Sequence, residues 1–533
     1  MTSVAAAPRR SRALVGLLLF VGLFAIYLAN TTVLDEGDAV PSINLPVALL
    51  STGRLSFDPD RFPELFKWKT HPPFVEKDDF FFTSWDDVFG DHTARKWREL
   101  GKLELNGPRY YIVPAPLRHT YVSTFGPIPG LVMLPFVAPF YAADHAFVGK
   151  LALRASVAKL GSASMVALTA VLLFLIVDRR SSRKRALFVA LTYALGTCAW
   201  AVSSQNIWQQ TVNQLFLAAG AYFVTSGLGR VRGALLGGFF LGAAAACRPT
   251  SLSVVFAVLI YLYLTERRSL LPFALALLPV PLGVFAYNLH YFGSPLIFAQ
   301  AIVGQVIARE KTGSPDVWQT PFLYGAIGLL VSPSRGLLVF SPILALSFWG
   351  SVRAVRDDEY RWLWPFLASA LVMMAAQCKW FDWWGGHAYG YRPWLDAVPY
   401  LSLGLSPIYG SLFATRLRSV GTAVVLAWSV FVQALGAMSY DRYWNLRRVF
   451  VIRVPARIEA IDYTDEGDAK REAARAHGTY IGPSFCDIDF TYCRHRLWSV
   501  RDNLILYQLT HFSLSRSGRL PFGFRDLGEP GAD

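Results

Sequence analysis

Apolar runs separated by short polar segments recur along most of the chain. Those at 14–29, 156–177, 208–228, 270–289 and 419–438 approach or reach the roughly 20 residues that carry a helix across a bilayer. Shorter runs near 186–202, 234–246, 250–264, 337–350, 362–378 and 395–413 bring the predicted number of spans to about eleven. Residues 123–143 are also apolar, but Pro127, Pro129, Pro135 and Pro139 each remove a helix hydrogen bond. The segment therefore reads as broken helices in the outer interface. Residues 234–246 and 250–264 meet at Cys247-Arg248-Pro249-Thr250, and 322–331 reads as a half-helix entering Ser332-Pro333-Ser334-Arg335-Gly336. Irregular backbone at membrane depth is tolerated only where protein or water satisfies it, so these breaks imply a cavity. The pattern predicts an all-α polytopic membrane protein.

Composition supports this. Of 533 residues, 53% are hydrophobic and 17% charged, against about 25% charged in soluble domains. The net charge of +14 would suit nucleic-acid binding, but Arg and Lys sit in short clusters between apolar runs, as topology signals do. Arg9, Arg10 and Arg12 precede the first run, which has only a weak cleavage site and reads as a retained span. The densest basic run is 179–185. Basic loops 229–233, 265–269, 351–361 and 415–418 join it on the cytoplasmic side. Residues 1–438 then form a transmembrane domain with a long first outer loop, 30–155. An odd span number leaves 439–533 outside as a small module. There Cys486 and Cys493 form either a disulfide or two free thiols; Cys198, Cys247 and Cys378 fall in or beside apolar runs.

Polar residues expected on the outer side carry the candidate chemistry. Asp35, Glu36 and Asp38 follow the first span, and Asp38 could equally cap a helix beginning near Val40. The run 379–393 contains Lys379, Trp383, Trp384, His387, Tyr389 and Arg392, with glycines that let the backbone fold closely. His71, His119, Arg248 and Arg335 complete the set. Aromatic faces with cations suit a sugar on a phosphate, since Arg binds phosphate oxygens in a bidentate way. Glycosyl transfer from a lipid phosphate needs one carboxylate to take the acceptor's proton and cations to hold the departing phosphate. A two-carboxylate glycosidase is a weaker fit. A transporter or flippase for a lipid-linked sugar would show internal repeats, and none is evident. A membrane-anchored binding protein using the acidic and aromatic tail is a further reading.

Several stretches resemble the GT-C glycosyltransferase superfamily, in particular its bacterial polyprenyl-phosphate-dependent branch of aminoarabinose and protein mannosyltransferase relatives. They are Asp35-Glu36-Gly37-Asp38, Tyr121 to Pro127, Gly242 to Thr250, Leu329 to Pro342 and Trp383 to Pro399, within residues 14–440. No single motif is specific; their order and side carry the resemblance. It implies a GT-C-like helix bundle with interfacial helices in the first outer loop, in a bacterial inner membrane, and a polyprenyl-phosphate-sugar donor with a glycan, lipid or protein acceptor. It makes an outer-loop Asp the catalytic base: Asp38, fifteen residues before Gly53, is favoured, with Asp35 second and Glu36 beside it. It assigns donor-phosphate contacts to cations such as Arg248, Arg335, His387 and Arg392. A divalent cation is used in some branches, but no ligand spacing here is diagnostic, and no metal ligand is assigned.

Overall fold

The computed structural model describes residues 9–30, 32–33, 37–58, 61–62, 65, 111–118, 120–226, 229–440, 443–454, 457–462, 479–489, 491–512 and 525–526. Most of these are helical. Among the described residues, five helices are long and apolar enough to cross a membrane: Ser11–Ala29, Leu151–Asp178, Arg230–Cys247, Arg267–Phe292 and Arg416–Ser439. The predicted eleven spans are therefore not matched by the described residues. The reason is interruption. The run 186–202 is a helix only over Arg183–Leu195 and continues as a π-helical turn, Ala199–Ser203. The run 337–350 breaks at Ser341-Pro342, and 395–413 yields only Val398–Leu403 and Tyr409–Leu412. Gln209–Thr225, with 17 residues, is nearly long enough.

Large apolar side chains line the outside of these helices. Leu14, Leu17, Leu18 and Val21 on the first, Phe256, Ile260 and Leu264 on Leu252–Thr265, and Leu271, Leu275 and Leu282 farther on are each more than half exposed. So much bare hydrocarbon suits lipid rather than water. Small residues set the close contacts inside. A side chain at Gly238 or Gly242 would strike the carbonyls of Phe273 and Leu277 at 2.3 Å, so Arg230–Cys247 lies directly against the helix Leu270–Leu277.

The basic loops gather at one end of the bundle. Arg12 donates to Asp178 at 2.9 Å, so the first helix and Leu151–Asp178 run antiparallel with the 179–185 cluster beside the N-terminal arginines. Arg179 reaches the Ser226 carbonyl at 3.1 Å and Arg185 the Tyr360 hydroxyl at 2.8 Å. Arg230 pairs with Glu266 at 2.8 Å, and Arg353 donates to Ser411 at 3.0 Å. Residues 123–143 make no crossing between the first two helices: Ile128–Val132 and Leu134–Ala143 are short, with prolines at their starts and Pro139 inside the second.

The opposite end carries the loops. An antiparallel hairpin joins Ile112–Ala115 to Thr120–Ser123. The tail contributes a three-stranded antiparallel sheet, with Leu446–Val454 between Arg457–Asp462 and Thr479–Asp487. A short parallel pair, Thr32–Val33 with Arg525–Asp526, ties the exit of the first helix to the far end of the tail. Cys486 and Cys493 are bonded, which settles the alternative left open by the sequence.

Candidate active site

The acidic loop enters the site through a single 3-10 turn, Gly37–Ala39. The helix Val40–Thr52 follows, with Pro41 in its first turn, where a missing N–H costs nothing, and ends at Gly53 with φ of 70°. Ala39 occupies the cap position, so Asp38 does not play the capping role the sequence allowed. Its carboxylate instead accepts from Arg392 Nη1 at 2.9 Å. The Arg392 guanidinium lies over the Trp208 ring, 4.6 Å from its centre. Both ion-pair partners are partly exposed, so a ligand can reach them.

The loop that presents Arg392 is shaped by glycine. Gly385, Gly386 and Gly390 all have positive φ, a region glycine enters without steric cost. At Gly390 the backbone also passes so close to Cys198 Sγ that an added Cβ would lie 2.7 Å from it. Gly386 leaves room between Asp382 and Arg392: its missing side chain would lie 3.6 Å from Asp382 Oδ2 and 3.9 Å from Arg392 Nη2. Asp382 also accepts from the Gly386 N–H at 3.3 Å.

From Asp382 the charges continue into the tail. Lys311, near the end of Ala299–Thr312, sits 3.4 Å from Asp382 and 2.8 Å from Asp489. Trp384 Nε1 donates to Asp489 at 3.0 Å, and His387 Nε2 meets Asp487 at 2.8 Å. Donor atoms of His387, Asp487 and Asp489 lie within 4.8 Å of one another and could hold a metal ion. Burial pushes the Asp382 carboxyl above its usual value, and Lys311 only partly offsets this. Burial acts the same way on Asp489, but there Lys311 prevails and its value falls. Lys311 is raised: burial opposes its charge, and Asp382 and Asp489 together outweigh burial.

The remaining predicted residues take different positions. Arg248 pairs with Asp396 at 2.6 Å and donates to Gln209 at 3.2 Å, while Asn213 holds the other Asp396 oxygen at 2.9 Å. Arg335 is fully buried and faces inward. It donates to the carbonyls of Trp384, Gly386 and Ser334 and to Asn445, bracing the glycine loop from behind. Trp383 is buried against Tyr324, Trp384 and Trp498. Tyr389 is buried too and donates to the Val432 carbonyl at 2.7 Å. Lys379 is exposed, where its helix ends. Asp35, Glu36, His71 and His119 lie outside the described residues.

Several site residues escaped the sequence reading. Lys311 and Asp489 belong to segments without a motif, although the cysteines flanking Asp487 and Asp489 were a usable signal. Arg154 and Lys159, both buried, lie on Leu151–Asp178, where apolar length dominates the sequence pattern. Arg154 donates to the Asn44 side-chain oxygen and Lys159 to that of Gln205, which also accepts from Asn30 at 2.7 Å. No protein-family model and no curated protein matches this chain.

Proposed function

We propose that this protein is an inverting glycosyltransferase of GT-C type that moves a sugar from a polyprenyl-phosphate donor to a cell-envelope glycan, lipid or protein acceptor. The observation that carries the reading is the Asp38–Arg392 pair, 2.9 Å apart against Trp208 at the end of the bundle away from the basic loops. The charge rule would make the basic end cytoplasmic, placing the N-terminus inside and the site and tail outside, in a bacterial inner membrane.

In this scheme Asp38 accepts the proton of an acceptor hydroxyl as its oxygen attacks the anomeric carbon. The bond from that carbon to the phosphate oxygen breaks, and the electron pair leaves with the phosphate. One displacement inverts the centre. Arg392 is placed to turn from Asp38 to the departing phosphate, where developing charge is best met by a fixed cation.

The test is sugar transfer by the purified protein from a panel of polyprenyl-phosphate pentoses and hexoses. Transfer by wild type and its loss in Asp38→Asn support the reading; an Asp38→Asn variant working at the wild-type rate sinks the base assignment. A flippase for lipid-linked sugars is the second reading, favoured by ionisable Arg154 and Lys159 within a span. It predicts movement of the intact donor across a vesicle membrane without cleavage.

A further inference from the structure

We infer that His387, Asp487 and Asp489 form a binding site for a divalent cation of the Zn2+ or Mn2+ class. The site joins the glycine-rich loop to the tail and is separate from the Asp38–Arg392 pair. It does not depend on the transferase reading.

Three observations carry the inference. The first is geometry: one imidazole nitrogen and two carboxylate oxygens lie within 4.8 Å of one another, so small side-chain movements bring all three to bonding distance of one ion. The second is chemistry. Imidazole with carboxylates suits Zn2+ and Mn2+, whereas Ca2+ and Mg2+ favour sets made of oxygen alone. Trp384 Nε1 already donates to Asp489 Oδ1, as outer-shell groups do around metal ligands. The third is charge. Arg392 pairs with Asp38, and Lys311 serves Asp382 and Asp489 together. Lys311 thus divides one positive charge between two carboxylates, which leaves Asp489 able to take an ion in its place.

The preparation for such an ion is covalent as well. The Cys486–Cys493 bond brackets both aspartates, so the segment that carries them is closed before an ion arrives. Lys311 is the built-in competitor, because its ammonium contacts Asp489 Oδ2 at 2.8 Å. An ion taking that oxygen displaces Lys311 toward Asp382.

The experiment uses the full-length protein in detergent, stripped with chelator and dialysed against ZnCl2 or MnCl2. Bound metal is counted by mass spectrometry and affinity measured by titration calorimetry. One equivalent is expected. His387→Ala and Asp487→Asn should each weaken binding by about tenfold or more, the scale on which even outer-shell losses act. Lys311→Met should tighten it, which no purely structural ion-pair cluster predicts. Failure to retain an equivalent of either metal overturns the inference, as does binding unchanged in both ligand variants. Should Asp487→Asn not fold, Asp489→Asn takes its place, and hydrogen exchange at 486–493 with and without metal gives a second readout.

Discussion

Asp38 and Arg392 face each other at hydrogen-bonding distance, so each variant has a distinct expected phenotype. Asp38→Asn keeps the shape and removes the base, with transfer falling on the order of 10²–10⁴-fold. Arg392→Lys keeps charge but loses the planar fork, and should lower turnover more than it raises the apparent donor KM. Gly390→Ala tests the loop itself. A positive φ and a 2.7 Å approach to Cys198 should destabilise the protein by about 1–3 kcal/mol, read as a lower melting temperature in detergent. The charges around Lys311 give a pH dependence. Asp489, depressed by Lys311, contributes stability that is present above the unfolded carboxylate value and lost as pH falls through its lower folded value. Lys311, raised by its carboxylates, contributes stability present below the unfolded lysine value and lost only as pH rises through its higher folded value. Asp382, raised by burial, works against the pair: its contribution is present at low pH and fades as pH rises through its folded value. Hydrogen exchange at residues 486–498 should therefore stay slow across the neutral range and speed up below the ordinary carboxylate range, and Lys311→Met should abolish that plateau.

Among the elements, the disulfide segment has the clearest energetic role. Closing an eight-residue loop is worth about 2.5 kcal/mol by chain entropy, and here the loop carries Asp487 and Asp489. Reduction, or Cys486→Ser with Cys493→Ser, should loosen 486–498 in hydrogen exchange while leaving the helix ends at Arg12 and Asp178 protected. Elements also show what the sequence could and could not reveal. The half-helix at 322–331 and the proline-broken segment after Phe125 were legible because proline and helix length act locally. Lys311 was not, because Asp382 lies 71 residues away and no periodicity connects them. Arg335 misled for the same reason: an arginine in a Ser-Pro turn reads as open to ligand, and only the fold shows it turned to the carbonyls of Trp384 and Gly386.

For the whole molecule, charge placement was more legible than span number. The basic loops inferred to share a side do meet, through Arg12–Asp178, Arg185–Tyr360 and Arg230–Glu266. Span number failed because hydropathy counts apolar length without seeing where glycine, proline and buried polar pairs divide it. A cysteine placed at Ser181 should be labelled from the same side as one near Arg12, and labelling from opposite sides would contradict the antiparallel first pair. The strand pairing of Thr32–Val33 with Arg525–Asp526 has a kinetic consequence. It closes a ring from nearly the whole chain, and the entropy of closure rises with the length enclosed. Thr32–Val33, just ahead of the acidic loop, emerges early in synthesis and its partner Arg525–Asp526 nearly 500 residues later, so helix insertion and site assembly are separate events in time. Chains ending before Arg525 should insert normally while residues near Asp38 remain open to protease.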